Sequence, residues 1–172
     1  MKPLTASALV CALMALTRAA AAPDGIPVDD QEGETELVKR TISCPSEWTE
    51  LGRRCYRYVP RSMTWARAEK NCLSQGGHLA SASSLSEYRN IQKVILSATQ
   101  AYHQAWIGGT DAQELKYWFW TDGKPFNYQY WCQGEPNNLG GYQHCLQINH
   151  GDGKCWDDLN CAVHLPSVCS RD

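Results

Sequence analysis

Nine cysteines in 172 residues constrain this chain more than any other feature. So dense a set points to an oxidising compartment and to a domain stapled by covalent bridges. Cys11 sits inside the apolar segment Leu4 to Leu16, which follows a weakly basic start and leads through Thr17-Arg18 into the alanines Ala19 to Ala22. The run is shorter than the ~20 residues a bilayer demands and ends in small, cleavable residues, so residues 1–21 read as a signal peptide. Nothing later is apolar for long enough to insert into a membrane, and a secreted, extracellular product is expected. Loss of Cys11 leaves Cys44, Cys55, Cys72, Cys132, Cys145, Cys155, Cys161 and Cys169. This even set needs no free thiol, so any homo-oligomer is expected to be non-covalent, and about a hundred pairings stay open.

Charge removes further classes. The chain carries 16 Lys+Arg against 18 Asp+Glu, a formal charge of −2. Residues 22–40 hold six acids (Asp24, Asp29, Asp30, Glu32, Glu34, Glu36), the bases Lys39 and Arg40, and no aromatic residue. Such a stretch buries too little to fold alone and reads as an acidic propeptide or linker, with Lys39-Arg40 suited to a dibasic-specific protease. From Thr41 onward, 12 bases balance 12 acids. That balance argues against bulk electrostatic capture of nucleic acid.

Thr41 to Asp172 reads as one domain without linker or repeat. Thr64 to Gln75 puts Trp65, Ala68 and Cys72 on one helical face before a Gly76-Gly77 stop. Ser84 to Thr99 opens with a capping box, Ser84-x-x-Glu87, and spaces Leu85, Tyr88, Ile91 and Ile95 at helical intervals. Short β-like runs follow at Ala105 to Ile107, Tyr117 to Thr121, Cys145 to Asn149 and around Val168. Helices first and strands afterwards predict an α+β class: two helices, short antiparallel sheets and long loops held by disulfides.

The chemistry concentrates between Glu135 and Asp158. Glu135, Asn137, Gln143, Asp157 and Asp158 supply three carboxylates and two carboxamides, all oxygen donors. A hard cation such as Ca²⁺ suits that set better than zinc. The Glu135-Pro136 bond adds a rigid turn capable of the cis form, aiming both flanking side chains at one point.

These residues resemble the C-type lectin family. Trp106-Ile107-Gly108-Gly109 is similar to that family's core motif, Gly134-Glu135-Pro136-Asn137-Asn138 to its mannose-type sugar loop, and Trp156-Asp157-Asp158 to its Trp-Asn-Asp segment. The resemblance implies bridges Cys44–Cys55, Cys72–Cys169 and Cys145–Cys161, leaving Cys132 to pair with Cys155. That last bridge is similar to one in fish soluble lectins and type II antifreeze proteins. The resemblance further implies one calcium ion held by the five oxygen-bearing residues, with vicinal sugar hydroxyls completing the coordination. Glu135, Asn137, Gln143 and Asp157 are then also the sugar-binding residues. Each hydroxyl donates to an acid and accepts from an amide N–H, so acids and amides come in pairs.

Two positions depart from the pattern: Gln143 stands where the family has Glu, and Asp157 where it has Asn. Together they keep three carboxylates and one acid–amide pair, with reversed hydrogen-bond polarity around one hydroxyl. Glu135 and Asn137 point to terminal mannose-type sugars; the reversal opens galactose-type ones. Asn138, His144 and Leu115 stand where acids of a second calcium site are expected, so one cation is predicted. Innate recognition of glycans is the expected role, and ice binding on the same fold is the rival. Catalysis is not expected, because calcium-bound carboxylates stay ionised and make poor general acids, and His78, His103, His144, His150 and His164 show no zinc spacing. Trp106, Trp118 and Trp120 read as core, while Trp131 and Tyr142 flank the site.

Overall fold

The computed structural model describes residues 43–172; the expected signal peptide and acidic segment lie outside the described residues. Ten main elements follow one another: β1 (Thr49–Leu51), β2 (Arg54–Met63), α1 (Trp65–Ser74), β3 (His78–Leu79), α2 (Leu85–Thr99), β4 (Ala105–Thr110), β5 (Phe119–Trp120), β6 (Gln143–His150), β7 (Cys155–Asn160) and β8 (Leu165–Arg171). Both predicted helices form. Trp65 is half-buried with its indole N–H on the Ile107 carbonyl at 2.9 Å, while Ala68 and Cys72 are fully buried. Gly76 and Gly77 end α1, and a Cβ on Gly77 would lie 2.6 Å from the Ser170 carbonyl oxygen. The α2 cap is shared between two serines. Ser84 Oγ accepts from the Glu87 N–H at 3.2 Å, but the Glu87 carboxylate reaches one residue further back, to the Ser83 N–H at 2.7 Å and Oγ at 2.9 Å. The buried stripe is Tyr88, Ile91, Val94 and Ile95; Leu85, predicted to join it, is exposed in the first turn.

Strands do not simply follow the helices. Ten-residue β2 precedes both and pairs antiparallel with the last strand, β8, setting Cys55 opposite Arg171. Its sequence, RCYRYVPRSM, mixes arginines and a proline into a weak alternation, which hides it from pattern reading. The strands join one sheet in the order β1-β2-β8-β4-β6-β7, with β3 on β8 and β5 on β4. The named strands pair antiparallel, as expected, apart from β4 with β8, parallel at Trp106–Ser167, and a single parallel bridge joins Trp131 to Trp156. The run Tyr117 to Thr121 yields only the two-residue β5, and β7 was not predicted.

The four implied bridges all form: Cys44–Cys55, Cys72–Cys169, Cys132–Cys155 and Cys145–Cys161, with Cα–Cα distances of 5.6, 5.4, 5.1 and 5.2 Å. Such separations are ordinary for disulfides. Every residue of β4 is buried, and its two glycines are demanded by close neighbours. A Cβ on Gly108 would stand 2.7 Å from the Leu79 carbonyl oxygen, and one on Gly109 2.7 Å from Leu146 Cδ1. Trp106 and Trp120 are buried as expected, and Trp118 packs half-buried against the core.

Fully buried Trp156 organises the core beneath the predicted site. Its ring meets Tyr88, Trp120, Tyr128 and Trp131 edge-on at centroid distances of 5.9, 5.6, 5.6 and 5.7 Å. Edge-to-face contacts add to what area burial alone gives. The backbone of Trp156 also pins the preceding loop, accepting from Cys132 N at 2.9 Å and donating to Tyr130 O at 2.8 Å. The core thereby fixes where Asp157 and Asp158 begin.

Candidate functional site

The acidic site lies where the loop after Cys132 folds onto β7. Cys132 is tied to Cys155 at the start of that strand, the Glu135 N–H bonds the Cys132 carbonyl at 3.0 Å, and the Glu135-Pro136 peptide is cis. Asp158, 1 % exposed, gathers the loop. Its two carboxylate oxygens accept from the backbone N–H of Asn137 at 2.9 Å and of Asn138 at 2.8 Å. Glu135 accepts from the Asn137 N–H at 3.0 Å and side-chain amide at 2.8 Å. The carboxylates of Glu135, Asp157 and Asp158 bring ligand oxygens within 4.8 Å of one another. The carboxamide oxygens of Asn137 and Gln143 both accept from the Leu139 N–H, at 2.8 and 2.7 Å, and so converge on one point. All five sequence-predicted residues therefore belong to one cluster of loop and strand.

Two further side chains were not foreseen. Gln147, opposite Asp157 in the β6–β7 register, donates its amide to Asp157 Oδ2 at 2.5 Å, and His150 Nδ1 lies 3.2 Å from the same oxygen. Alternation along β6 was the available signal, since it places Gln147 on the strand facing the Trp-Asp-Asp segment. Gln143 and Asp157 keep separate hydrogen-bond partners and face Asn160 and Gln147 respectively, so their exchange of acid and amide is not a mutual contact.

Electrostatically the cluster is unbalanced. Among the described residues no Lys or Arg pairs with Glu135, Asp157 or Asp158. Burial pushes the Glu135 carboxyl above its usual range, with the hydrogen bond to Asp158 and the charges of Asp157 and Asp158 adding to the rise. Three clustered acids without a protein cation, joined by two carboxamide oxygens, fit a hard divalent cation such as calcium. The positions predicted to have lost a second site are engaged elsewhere or exposed. Asn138 Oδ1 accepts from Gln143 N at 2.9 Å, and His144 Nδ1 lies 2.9 Å from buried Asp111, while Leu115 is exposed. Beside the main cluster, Trp131 is half-buried against the core and Tyr142 stands 70 % exposed.

The family profile described as Lectin C-type domain matches residues 61–171. The chain belongs to the C-type lectin family. Ladderlectin of Oncorhynchus mykiss is 39% identical over 175 residues, covering 97% of this chain and 92% of that protein. The lactose-binding lectin l-2 of Anguilla japonica is 39% identical over 131 residues, covering 74% and 77%. Among solved structures, a calcium-independent type II antifreeze protein superposes with a TM-score of 0.70 at 38% identity, covering 77% of this chain and 97% of that one. The C-type lectin fold thus accounts for the two helices, the sheet and the bridges. Among the described residues no helix is long and apolar enough to cross a membrane.

Proposed function

We propose that this protein is a secreted, calcium-dependent lectin whose site is Glu135, Asn137, Gln143, Asp157 and Asp158. The observation that carries this reading is the convergence, within 4.8 Å at the cis-proline loop, of three carboxylates that no described Lys or Arg pairs. These five side chains would hold one calcium ion, which when bound offers Lewis-acidic positions to sugar hydroxyl oxygens. Asn137 and Glu135 perform the recognition. Their amide N–H and carboxylate, 2.8 Å apart and bonded to each other, present one donor and one acceptor side by side. A sugar diol replaces that internal bond, one hydroxyl donating to the acid and accepting from the amide. Glu135 and Asn137 in this order favour mannose-type sugars, and Gln143 with Asp157 sets the polarity around the neighbouring hydroxyl. Innate recognition of glycans is the biological setting we infer. Residues 1–21 serve in this reading as signal peptide and 22–40 as an acidic propeptide or linker ahead of the lectin domain.

Calorimetric titration of calcium into the secreted protein, followed by mannose or galactose in the same cell, tests the reading. One calcium per chain, then sugar heat that EDTA abolishes, is the expected result. Absence of calcium binding would overturn it. A second reading, ice binding, is favoured by the 38% identity to the antifreeze protein; thermal hysteresis by the calcium-free protein would decide for it.

A further inference from the structure

A second concavity lies outside the acidic loop. It encloses about 280 Å³ between α2, which contributes Tyr88, Arg89 and Gln92, and the side chains of Tyr102, Tyr130 and Lys154. None of the five proposed calcium ligands lines it. Its floor is a built network. The hydroxyl of Tyr88, 1 % exposed, donates to the Lys154 carbonyl. The Gln92 amide donates to Asn149 Oδ1 at 2.9 Å and to the same carbonyl at 3.3 Å, and Asn149 in turn donates to the His103 carbonyl at 2.8 Å. Asn149 and Lys154 hold left-handed backbone conformations, at φ of 62° and 50°. Non-glycine residues persist there only when their surroundings over-determine them. Helix, turn and the segment after α2 are thus locked around one hollow.

The walls carry a particular chemistry. Tyr102 and Tyr130 are 44 % and 38 % exposed, and the Tyr130 ring rests 5.2 Å from Tyr88. Arg89 and Lys154 have no ion-pair partner among the described residues, and no carboxylate lines the hollow. Lys154 Nζ donates only to the Gly151 carbonyl, at 2.9 Å, leaving two of its protons free. The folded domain is neutral overall, so this positive charge is local rather than part of a general field.

Aromatic rings stack on the apolar face of a sugar ring, cations take an anionic substituent, and a volume just under the usual ~300 Å³ of drug-sized pockets suits one ring. We infer that this hollow is a second, calcium-independent saccharide site for an anionic hexose carrying a sulfate or carboxylate. The choice of a saccharide over another anion rests on the lectin reading above; the chemistry of the hollow does not. A glycan with a neutral terminus and an acidic neighbour would then engage one chain at two points, with avidity set by the spacing between them.

Amide NMR of the protein in EDTA, titrated with galactose 6-sulfate, galactose or inorganic sulfate, tests this. Galactose 6-sulfate is expected to shift the amides of Gln92, Tyr102 and Gly153. Arg89→Gln and Tyr102→Ala, both at exposed positions, are expected to weaken that binding by roughly three- to tenfold each. Glu135→Gln is expected to leave it unchanged, although the same variant abolishes calcium-dependent sugar heat. The proposal falls if galactose moves the same amides as strongly, if sulfate alone matches galactose 6-sulfate and Tyr102→Ala is silent, or if only the loop around Asn137 responds. Because every NMR titration runs without calcium, loss of the calcium reading and loss of this one give different results.

Discussion

Asp158 shows how one side chain serves both architecture and chemistry. It is buried, anchors two consecutive loop N–H groups and contributes a site oxygen. Asp158→Asn should lower calcium affinity roughly 10–100-fold, read by calorimetry. The exchange at Gln143 and Asp157 permits a finer test. Gln143→Glu alone should change sugar preference, and the double variant with Asp157→Asn should bind calcium comparably while restoring the other polarity. Stronger calcium binding by Gln143→Glu with unchanged sugar choice would contradict the compensation. Tyr56 belongs to this scale too, because burial pushes its phenol up to about 12, and the nearby Arg54 only partly opposes the rise. An unfolded tyrosine ionises near ~10, so Tyr56 contributes stability that is complete below that value and lost as pH climbs through about 12. Ultraviolet titration should show a delayed fraction of the eight tyrosines. Residue types were the most legible part of the site: oxygen donors are visible in sequence. Gln147 and His150 were not, because only strand register brings them to Asp157.

Elements were legible where their signals are local. A serine cap, a glycine stop and apolar residues at helical spacing are enough to place α1 and α2, since each signal acts within one turn. Strand β2 lacked such a signal, because its burial comes from β8, more than a hundred residues away in sequence. The β6–β7 hairpin and the loop on top of it form the element that presents the site. Its bridge, Cys132–Cys155, spans 23 residues. Replacing both cysteines by serine should cost about 3 kcal/mol of stability on the chain-entropy account. Calcium affinity should fall further than stability predicts, because the loop loses its tether to β7. Denaturant unfolding alongside calcium calorimetry separates the two effects. Gly108→Ala should be destabilising by about 1–3 kcal/mol, since the Leu79 carbonyl is backbone and cannot swing aside.

Across the whole molecule, Arg54 draws distant segments together. Buried on β2, it donates to the Ser81 carbonyl and hydroxyl, to Ser170 at 2.7 Å and to Asp122 at 3.2 Å, and meets Asp172 at 2.8 Å. Burial raises the Asp172 carboxyl, yet its bonds with Lys124 and Arg54 outweigh that and hold it below the usual range. A lowered carboxyl stabilises above its unfolded value near ~4 and gives that stability up as pH falls through the folded one. Asp172→Asn should therefore lower thermal stability modestly at neutral pH, where the charge is paired, and flatten the acid side of the profile, with little change below the folded value. Cysteine count made the stapled character legible at this scale; the one-sheet connectivity was not, because it joins the first strands to the last. That junction has a mechanical corollary. With Cys44 bridged to Cys55 and Cys55 facing Arg171, the polypeptide enters and leaves the domain through a single doorway. Tension applied to flanking chain would load the β2–β8 ladder and the Cys44–Cys55 clasp first, so the domain could be strung along a fibre like a pendant bead without the pull reaching the acidic loop.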